Sequence, residues 1–363
     1  MAHRKKYKKY KKKKITAKGY TFRIILIISA VFLFISYLSI FFNPTKIWIP
    51  LFFGLYYIPI VTLNIILLII SLFRKKKYLL IPLIALLPSL LFADLFVKTG
   101  KEESVHGKEK IEVMTYNVGR FSAGEKNMSL EETALHIKSF FEQEQPDVLC
   151  IQEFMIKDTS MLNNTLPKYP YRYYHFFKGN NFFGNITLSK YPIIHKDKIS
   201  FNKSTNLCIY TDIKYNDKII RIYNCHLESY SISFTSLIKR LSKKGEFSNE
   251  IIGVHGKLKG TNIRRSEQVN TVLGNIKKSD YPTIICGDFN DTPMSYTYHK
   301  LSKGRKDSFI EGGKGFSSTY STLWPLLRID YILLPEAYDA DQNMTFRIPL
   351  SDHYPVSTII YCN

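Results

Sequence analysis

Acidic residues are nearly missing from the first 97 positions: Asp94 stands alone there against 16 Lys and Arg, a local charge of +15 out of +21 for the 363 residues. Residues 98–363 carry 35 basic against 29 acidic side chains, only +6. That partition excludes a nucleic-acid binder built on a globally basic surface, because most of the excess charge lies at the N-terminus. Cysteine is scarce as well. Five residues cannot all pair, and Cys150, Cys208, Cys225 and Cys286 sit in apolar, strand-like runs, which excludes a disulfide framework and predicts buried thiols. No internal repeat is visible, so solenoid and propeller architectures drop out.

Charge is also missing from three long apolar stretches, 24–42, 47–73 and 79–97, the last interrupted only by Asp94. Each is close to, or longer than, the ~20 residues that cross the hydrocarbon core of a bilayer. A cleaved signal peptide does not fit the first: its apolar region is too long, no small-residue cleavage site follows, and two more stretches come after it. The chain therefore divides into a basic tail at 1–23, a transmembrane region at 24–97, a linker at 98–108 and a catalytic domain at 109–363. Lys and Arg cluster before the first stretch, in RKKYKKYKKKK, and after the second, at 74–77, whereas the loop between those stretches has only Lys46. The positive-inside rule assigns both clusters to the cytoplasm, where the tail meets anionic headgroups. Three crossings then give an integral, multi-pass membrane protein with its N-terminus cytoplasmic and its catalytic domain outside. Two features argue against that topology: buried thiols suit a reducing compartment, and lysines follow the third stretch at 98, 101, 108 and 110.

From residue 109 the pattern becomes that of an α/β domain. The runs 111–118, 147–153, 184–189, 206–216, 218–228, 283–290, 328–334 and 353–361 have strand character, and Asn216-Asp217 marks a hairpin turn. Between the first two runs, Ser129 and Glu132 form a capping box, and Leu130, Ala134, Ile137 and Phe141 share one face. That pattern predicts a helix. A second helix is expected over 261–278.

Polar groups gather where the apolar runs stop: Asn117, Glu153, His226, Asp288 with Asn290, Asp330, and Asp352 with His353. Any one of them could be a surface residue. All of them together, if the sheets bring their strand ends to one edge, make a pocket of four carboxylates, two imidazoles and two amides. Carboxylates so close repel one another unless a cation or proton intervenes, and hard oxygen donors suit Mg²⁺ or Mn²⁺. Imidazoles beside them suit a phosphoryl group.

With TYNV at 115–118, IQE at 151–153, YNCHLES at 223–229, GDFND at 287–291, RIDYIL at 328–333 and SDHYPV at 351–356, the sequence resembles the endonuclease/exonuclease/phosphatase superfamily. That superfamily includes pancreatic-type deoxyribonucleases, abasic-site endonucleases, neutral sphingomyelinases and inositol-polyphosphate 5-phosphatases. The resemblance covers 109–363 and implies a four-layer α/β sandwich: two mixed sheets face to face, helices outside, and the metal site at one edge. It implies Glu153 as the principal metal ligand with Asn117 alongside, and Asp352 supporting the metal or orienting His226. Asp288 would orient or deprotonate the attacking water, Asn290 would hold a phosphate oxygen, and His353 would contact the phosphoryl group with its tautomer fixed by Asp330. One departure stands out: no acidic partner for His226 is evident between 154 and 184.

Substrate contacts are assigned to Asn185, Arg264 and Arg265, although two arginines on a helix are more often solvated. The aromatic run at 171–176 is a stacking platform or simply sheet surface, and the glycine-rich 311–320 is a substrate loop or a connection. The favoured reading is a membrane-anchored Mg²⁺-dependent phosphohydrolase acting on a phospholipid headgroup; the alternatives are a surface nuclease and an inert membrane scaffold. Nothing points to an obligate protein partner. A reporter fused after Asn363 is expected to be active only outside the cytoplasm, and cytoplasmic activity would mean that 79–97 does not cross.

Overall fold

The computed structural model describes residues 17–74, 76–100, 109–122, 128–158, 168–179, 182–230, 247–323 and 325–362. Most of the basic tail, the linker residues 101–108 and Asn363 lie outside them. Three apolar rods come first. Helix α1 (Ala17–Leu38) is, among the described residues, the one helix long and apolar enough to cross a membrane. The second stretch is bent by 69° at Tyr56, between α2 (Ile49–Leu55) and α3 (Tyr57–Leu72). The third begins as α4 (Leu80–Leu86) and tightens into a 3-10 helix over Leu87–Leu95. In place of three straight helices there is thus one long helix, one bent pair and one short rod.

Both departures have local causes. At Gly54 a Cβ would collide with the Met294 carbonyl oxygen and the Ser39 hydroxyl, so the backbone comes in close where the bend starts. Pro88, at the head of the 3-10 segment, has no N–H for the bond to the carbonyl four residues back. The rods pack through Leu26, Leu33, Tyr37, Tyr57 and Ala85, and Tyr37 donates to the Ala85 carbonyl at 2.8 Å. Outward they carry Ile24, Ile28, Phe34, Ile66, Ile69 and Leu91, all exposed.

The domain that follows is a sandwich of two six-stranded sheets. One runs in the order β10 (Arg305–Asp307), β12 (Asp330–Pro335), β9 (Thr283–Asp288), β8 (Lys218–His226), β7 (Leu207–Tyr215), β6 (Ile193–Ser200). The other runs β13 (Asp339–Thr345), β14 (Val356–Tyr361), β2 (Lys110–Asn117), β3 (Val148–Ile156), β5 (Phe182–Ser189), β4 (Tyr171–Lys178). Each sheet is mixed, with one parallel pair: β8 with β9, and β2 with β3. A parallel pair needs a crossover, and each crossover carries a helix, α5 (Leu130–Glu144) and α6 (Phe247–Ile276).

The inner faces meet through Val113, Cys150, Ile222, Ile284, Ile332 and Val356. Behind one sheet Val269 and Val272 of α6 pack on Tyr223 and Ile285. Behind the other, Ile137 and Phe141 of α5 pack on Tyr116 and Leu149. These are the four expected layers. Ser129 accepts from the Glu132 N–H and Glu132 accepts from the Ser129 N–H, closing the capping box, and Asn216 at φ 52° turns the β7–β8 hairpin. All five cysteines are buried and free.

Edge strands β6 and β13 are not in the sequence reading, and β4 (Tyr171–Lys178) takes the sheet-surface alternative given to 171–176. In β6 most side chains are exposed and four are charged or histidine, the composition with which edges resist pairing, so it lacks an apolar alternation. Helix α6 begins well before residue 261; Gly253, Gly256 and Gly260 hide its first turns from a sequence reading.

Gly287 sits at φ 128°, where a Cβ would meet the Cys225 carbonyl on the neighbouring strand. Both strain and collision act against any side chain, so Gly287→Ala is expected to lower stability by at least about 3 kcal/mol, read as a shift in the denaturant midpoint of the full-length protein.

Candidate active site

Register brings the polar strand ends together. In one sheet Asp330 pairs with Asp288 across β12 and β9, and Asp288 pairs with His226 across β9 and β8, so three functional groups stand side by side. In the other sheet Asn117 ends β2 beside Gln152 of β3. Next to it the ladder slips between Ile151 and Phe154, and Glu153 adopts φ 52°. A bulge with a non-glycine residue in the left-handed region is strained by roughly 1–3 kcal/mol. Here it turns the carboxylate out of the sheet towards Arg120, 3.3 Å from its Nε, and His226, 3.6 Å from its Nε2.

Asp288 is the centre of the cluster and is 1% exposed. Its Oδ2 accepts from Asn117 Nδ2 at 3.0 Å, a bond that spans the two sheets, and from Asn290 Nδ2 at 3.0 Å. Its Oδ1 accepts the Asn290 backbone N–H at 2.8 Å. Asn290 can turn back in this way because it too has φ 52°. His353 Nε2 lies 3.7 Å from Asp288 Oδ2, and its Nδ1 is 3.0 Å from Asp330 Oδ2.

Burial pushes the Asp288 carboxyl above its ordinary range, with Asp330 adding to that and His353 opposing it. For His353 burial acts downward, but Asp330 and Asp288 outweigh it and hold the imidazole well above its usual value. Glu153 is the reverse case: burial acts upward, and His226 and Arg120 overcome it, keeping the carboxylate ionised.

A cavity of about 710 Å³ opens over this floor, lined by Asn117, Arg120, Glu153, Asp288, Asn290, Tyr320, Asp352 and His353. His226 and Asp330 stand behind it. The His226 Nε2 is buried with no hydrogen-bond partner and faces Glu153 and Asp288, so the partner not found in the sequence is Glu153 itself.

Ligand atoms of Asp288, Asp330 and His353 lie within 4.8 Å of one another. His353 Nδ1, however, already bonds both Asp330 oxygens, which makes His353 and Asp330 a hydrogen-bonded charge pair and leaves Asp288 as the carboxylate of the three that lines the cavity. Hard oxygen donors on the cavity side are Glu153, Asp288, Asp352 and the Asn117 amide. Of these, Glu153 is the carboxylate that His226 and Arg120 keep ionised. This donor set fits a divalent cation that binds through oxygen.

The residues assigned to substrate lie elsewhere. Asn185 is buried and donates to the Leu207 and Asn224 carbonyls. Arg264 bonds Glu228 at 2.8 Å on the surface. Arg265 is fully buried, donating to the Glu228 carbonyl and Tyr230 hydroxyl and lying 3.2 Å from Asp291. None of the three lines the cavity. Arg120 and Tyr320 do; the sequence reading missed Arg120 and included Tyr320 only as the end of a possible substrate loop. Tyr320, its ring 5.3 Å from that of His353, ends the glycine-rich stretch, which is neither loose nor featureless: β11 (Lys314–Phe316) pairs with β1 (Val97–Thr99). The aromatic run at 171–176 is edge strand β4 and is not part of the cavity wall.

A four-layer sandwich with carboxylates, amides and imidazoles at one edge of its paired sheets defines the class. The family model described as "Endonuclease/Exonuclease/phosphatase family" matches residues 114–353, well over half of the chain, and the chain belongs to that family. Residues 19–94 match a second model, a domain of unknown function. No curated protein matches.

Among solved structures, an endonuclease/exonuclease/phosphatase from Beutenbergia cavernae superposes with TM-score 0.53 at 14% identity, covering 70% of this chain and 72% of that one. The endonuclease/exonuclease/phosphatase from Bacteroides vulgatus gives TM-score 0.52 at 16% identity over 70% and 100% of the two chains. Humanized TDP2 of D. rerio gives 0.52 at 18% identity over 70% and 99%. At such identities the likeness is one of fold.

A buried arginine paired with Asp291 is structural, and truncating it strands the partner. Arg265→Ala is therefore expected to cost roughly 3–5 kcal/mol of stability, against less than about 1 kcal/mol for the half-exposed Arg264→Ala. Thermal melts of the two variants check this.

Proposed function

We propose that the protein is a membrane-anchored, divalent-metal-dependent phosphoester hydrolase acting on phosphoesters presented at a membrane, phospholipid headgroups first. The observation that carries the hydrolase part is Asp288: a buried carboxylate held by two amides and facing two imidazoles across the cavity floor.

Glu153, with Asn117 and Asp352, would hold Mg²⁺ or Mn²⁺, which when bound offsets the charge on the phosphoryl oxygens. Asp288, raised by burial and fixed in direction by Asn117 and Asn290, takes the proton of the attacking water. Both donors of Asn290 are committed, its side-chain amide to Asp288 and the Leu227 carbonyl and its backbone N–H to Asp288, so its role is to position that carboxylate; the expected grip on a phosphate oxygen would break one of these bonds. His353, protonated and braced by Asp330, donates from Nε2 to the phosphoryl group as charge develops.

The anchoring part rests on the rods. Exposed apolar side chains belt all three, a surface far larger and more continuous than water-facing proteins carry. Their two ends also differ. Arg74 lies over the Phe22 ring and Tyr78 donates to the Gly19 carbonyl, so the start of α1, which the basic tail precedes in sequence, and the segment at Arg74 share one end. Ser39, Phe41 and Phe96 meet the catalytic domain at the other. That polarity supports an anchor with its catalytic domain on the side away from the basic clusters. The third rod, half of it 3-10, spans roughly 28 Å, just short of a ~30 Å hydrocarbon core.

Asp288→Asn and Glu153→Gln are each expected to lower turnover of phospholipid vesicles by a factor on the order of 10² or more with Mg²⁺, with the thermal transition retained. Hydrolysis that persists in EDTA refutes the metal dependence. Plasmid nicking without headgroup release, in the same assay, refutes the lipid preference and makes the protein a surface nuclease.

A further inference from the structure

The cavity over Asp288 is not closed by the sandwich alone. One wall is Gly54 to Pro59, the break between α2 and α3, joined by Phe96 at the end of the third rod. Facing it are Val254 and Leu258 of α6 and Leu323, Leu326 and Leu327 from the segment before β12. The floor therefore presents carboxylates, amides and imidazoles, while the walls above it present mostly carbon.

The wall is built into the fold. Ser39 Oγ donates to the Met294 carbonyl at 2.7 Å, and Gly54 approaches the same carbonyl so closely that no Cβ fits. The Met294 side chain, 1% exposed, is inserted among Tyr37, Tyr57 and Ala85 of the rods. The Phe52 ring lies 5.0 Å from that of His255, tilted by 56°, and Lys259 lies 4.4 Å over the Trp48 ring. Met294 closes the loop that starts at Asp288, so helical break and catalytic carboxylate are fixed by one short piece of chain.

We propose that the α2–α3 break is part of the substrate site and holds the apolar chain of an amphiphilic phosphoester while the phosphoryl group sits on the Asp288 floor. This rests on the hydrolase reading above and goes further, making the apolar region a determinant of specificity rather than a tether. A polar substrate such as a nucleotide or sugar phosphate would lose hydration against these walls with few partners in return. An alkyl chain gains by leaving water there. Tyr56 at the break and Trp48 just before α2 are side chains that favour the membrane–water boundary, and α3, which continues from the wall, carries the exposed Leu63, Ile66 and Ile70. A chain still seated among lipid tails could therefore reach the floor without crossing water.

The test uses the full-length protein in nanodiscs with ethyl and octyl 4-nitrophenyl phosphate, both below the micellar range, and Mg²⁺ or Mn²⁺. The octyl ester is expected to have at least about tenfold higher kcat/KM, mostly through KM. Ile58→Ser and Leu327→Ser, on facing walls, are each expected to cut that preference several-fold in protein whose melting is retained. Equal kcat/KM for the two esters, or a preference unmoved in folded variants, overturns the proposal.

A second readout needs no turnover: Ile58→Cys carrying a polarity-sensitive dye, titrated with octylphosphonate, should shift to the blue, while ethylphosphonate should leave it unchanged. No shift overturns the wall. If neither ester is hydrolysed with either metal, the hydrolase reading fails on its own, and the dye titration still decides whether the wall takes an alkyl chain.

Discussion

A carboxylate with almost no exposure to water, Asp288, constrains everything around it. Burying an ionised group without partners costs far more than a fold of this size can spare, and the architecture answers at every level. Gly287 adopts a φ that no other residue tolerates and lets β9 run against Cys225. Asn290 folds back in the left-handed region to donate twice. Asn117 arrives from the opposite sheet. His353, braced by Asp330, supplies the countercharge. Removing any of these leaves the others around an unpaired charge. The group the site needs most is thus also the one its stability can least leave unsupported.

That cluster exists because two mixed sheets each contain one parallel pair, and parallel neighbours end at the same edge. β8 and β9 deliver His226 and Asp288 in register, while β2 and β3 deliver Asn117 and, through a bulge, Glu153. The apolar rods attach at the same edge through Met294 and Ser39. Attachment there has a mechanical consequence. The loop from Asp288 to Met294 has its start pinned in the sheet and its end pinned among helices, so Asn290 between them has little freedom to leave Asp288. Rigidity of this kind suits the proton-accepting role proposed for Asp288.

The parts legible in the sequence were those where a local pattern decides the outcome. A polar residue ending an apolar run is visible in one dimension, and Asn117, Glu153, His226, Asp288, Asp330 and His353 were all read from that signal; the strand register then gathered them. The capping box at Ser129 is equally local. What stayed hidden depended on contacts distant in sequence. Arg265 reads as a surface residue of an amphipathic helix, and only packing of α6 against the segment at Glu228 and Tyr230 buries it. Glu153 as the neighbour of His226 is a contact between two sheets. Arg120 reaches Glu153 from a backbone at φ 54°, a conformation that an arginine does not advertise. The bend at Tyr56 falls between Gly54 and Pro59, breakers set inside an otherwise apolar run, but the close packing of Gly54 on the Met294 carbonyl, some 240 residues away, is visible only in the fold.

The thiols and the lysine clusters had pointed to opposite compartments, and burial weakens the first of these signals. Cys208 and Cys225 face each other on paired strands with their sulfurs 3.0 Å apart, the arrangement most open to oxidation if either were reactive. Burial, and the hydrogen bond between the two sulfurs, push the Cys208 thiol well above its ordinary range, so almost no thiolate is present at neutral pH. The thiolate is the species that exchanges or oxidises. Both side chains are also sealed from solvent beneath α6. Free thiols of this kind persist in an oxidising compartment as readily as in a reducing one, because the barrier is access and protonation rather than ambient potential. The rods carry the remaining asymmetry, with Phe22, Arg74 and Tyr78 at one end, Ser39 and Phe96 against the sandwich at the other, and exposed apolar side chains between.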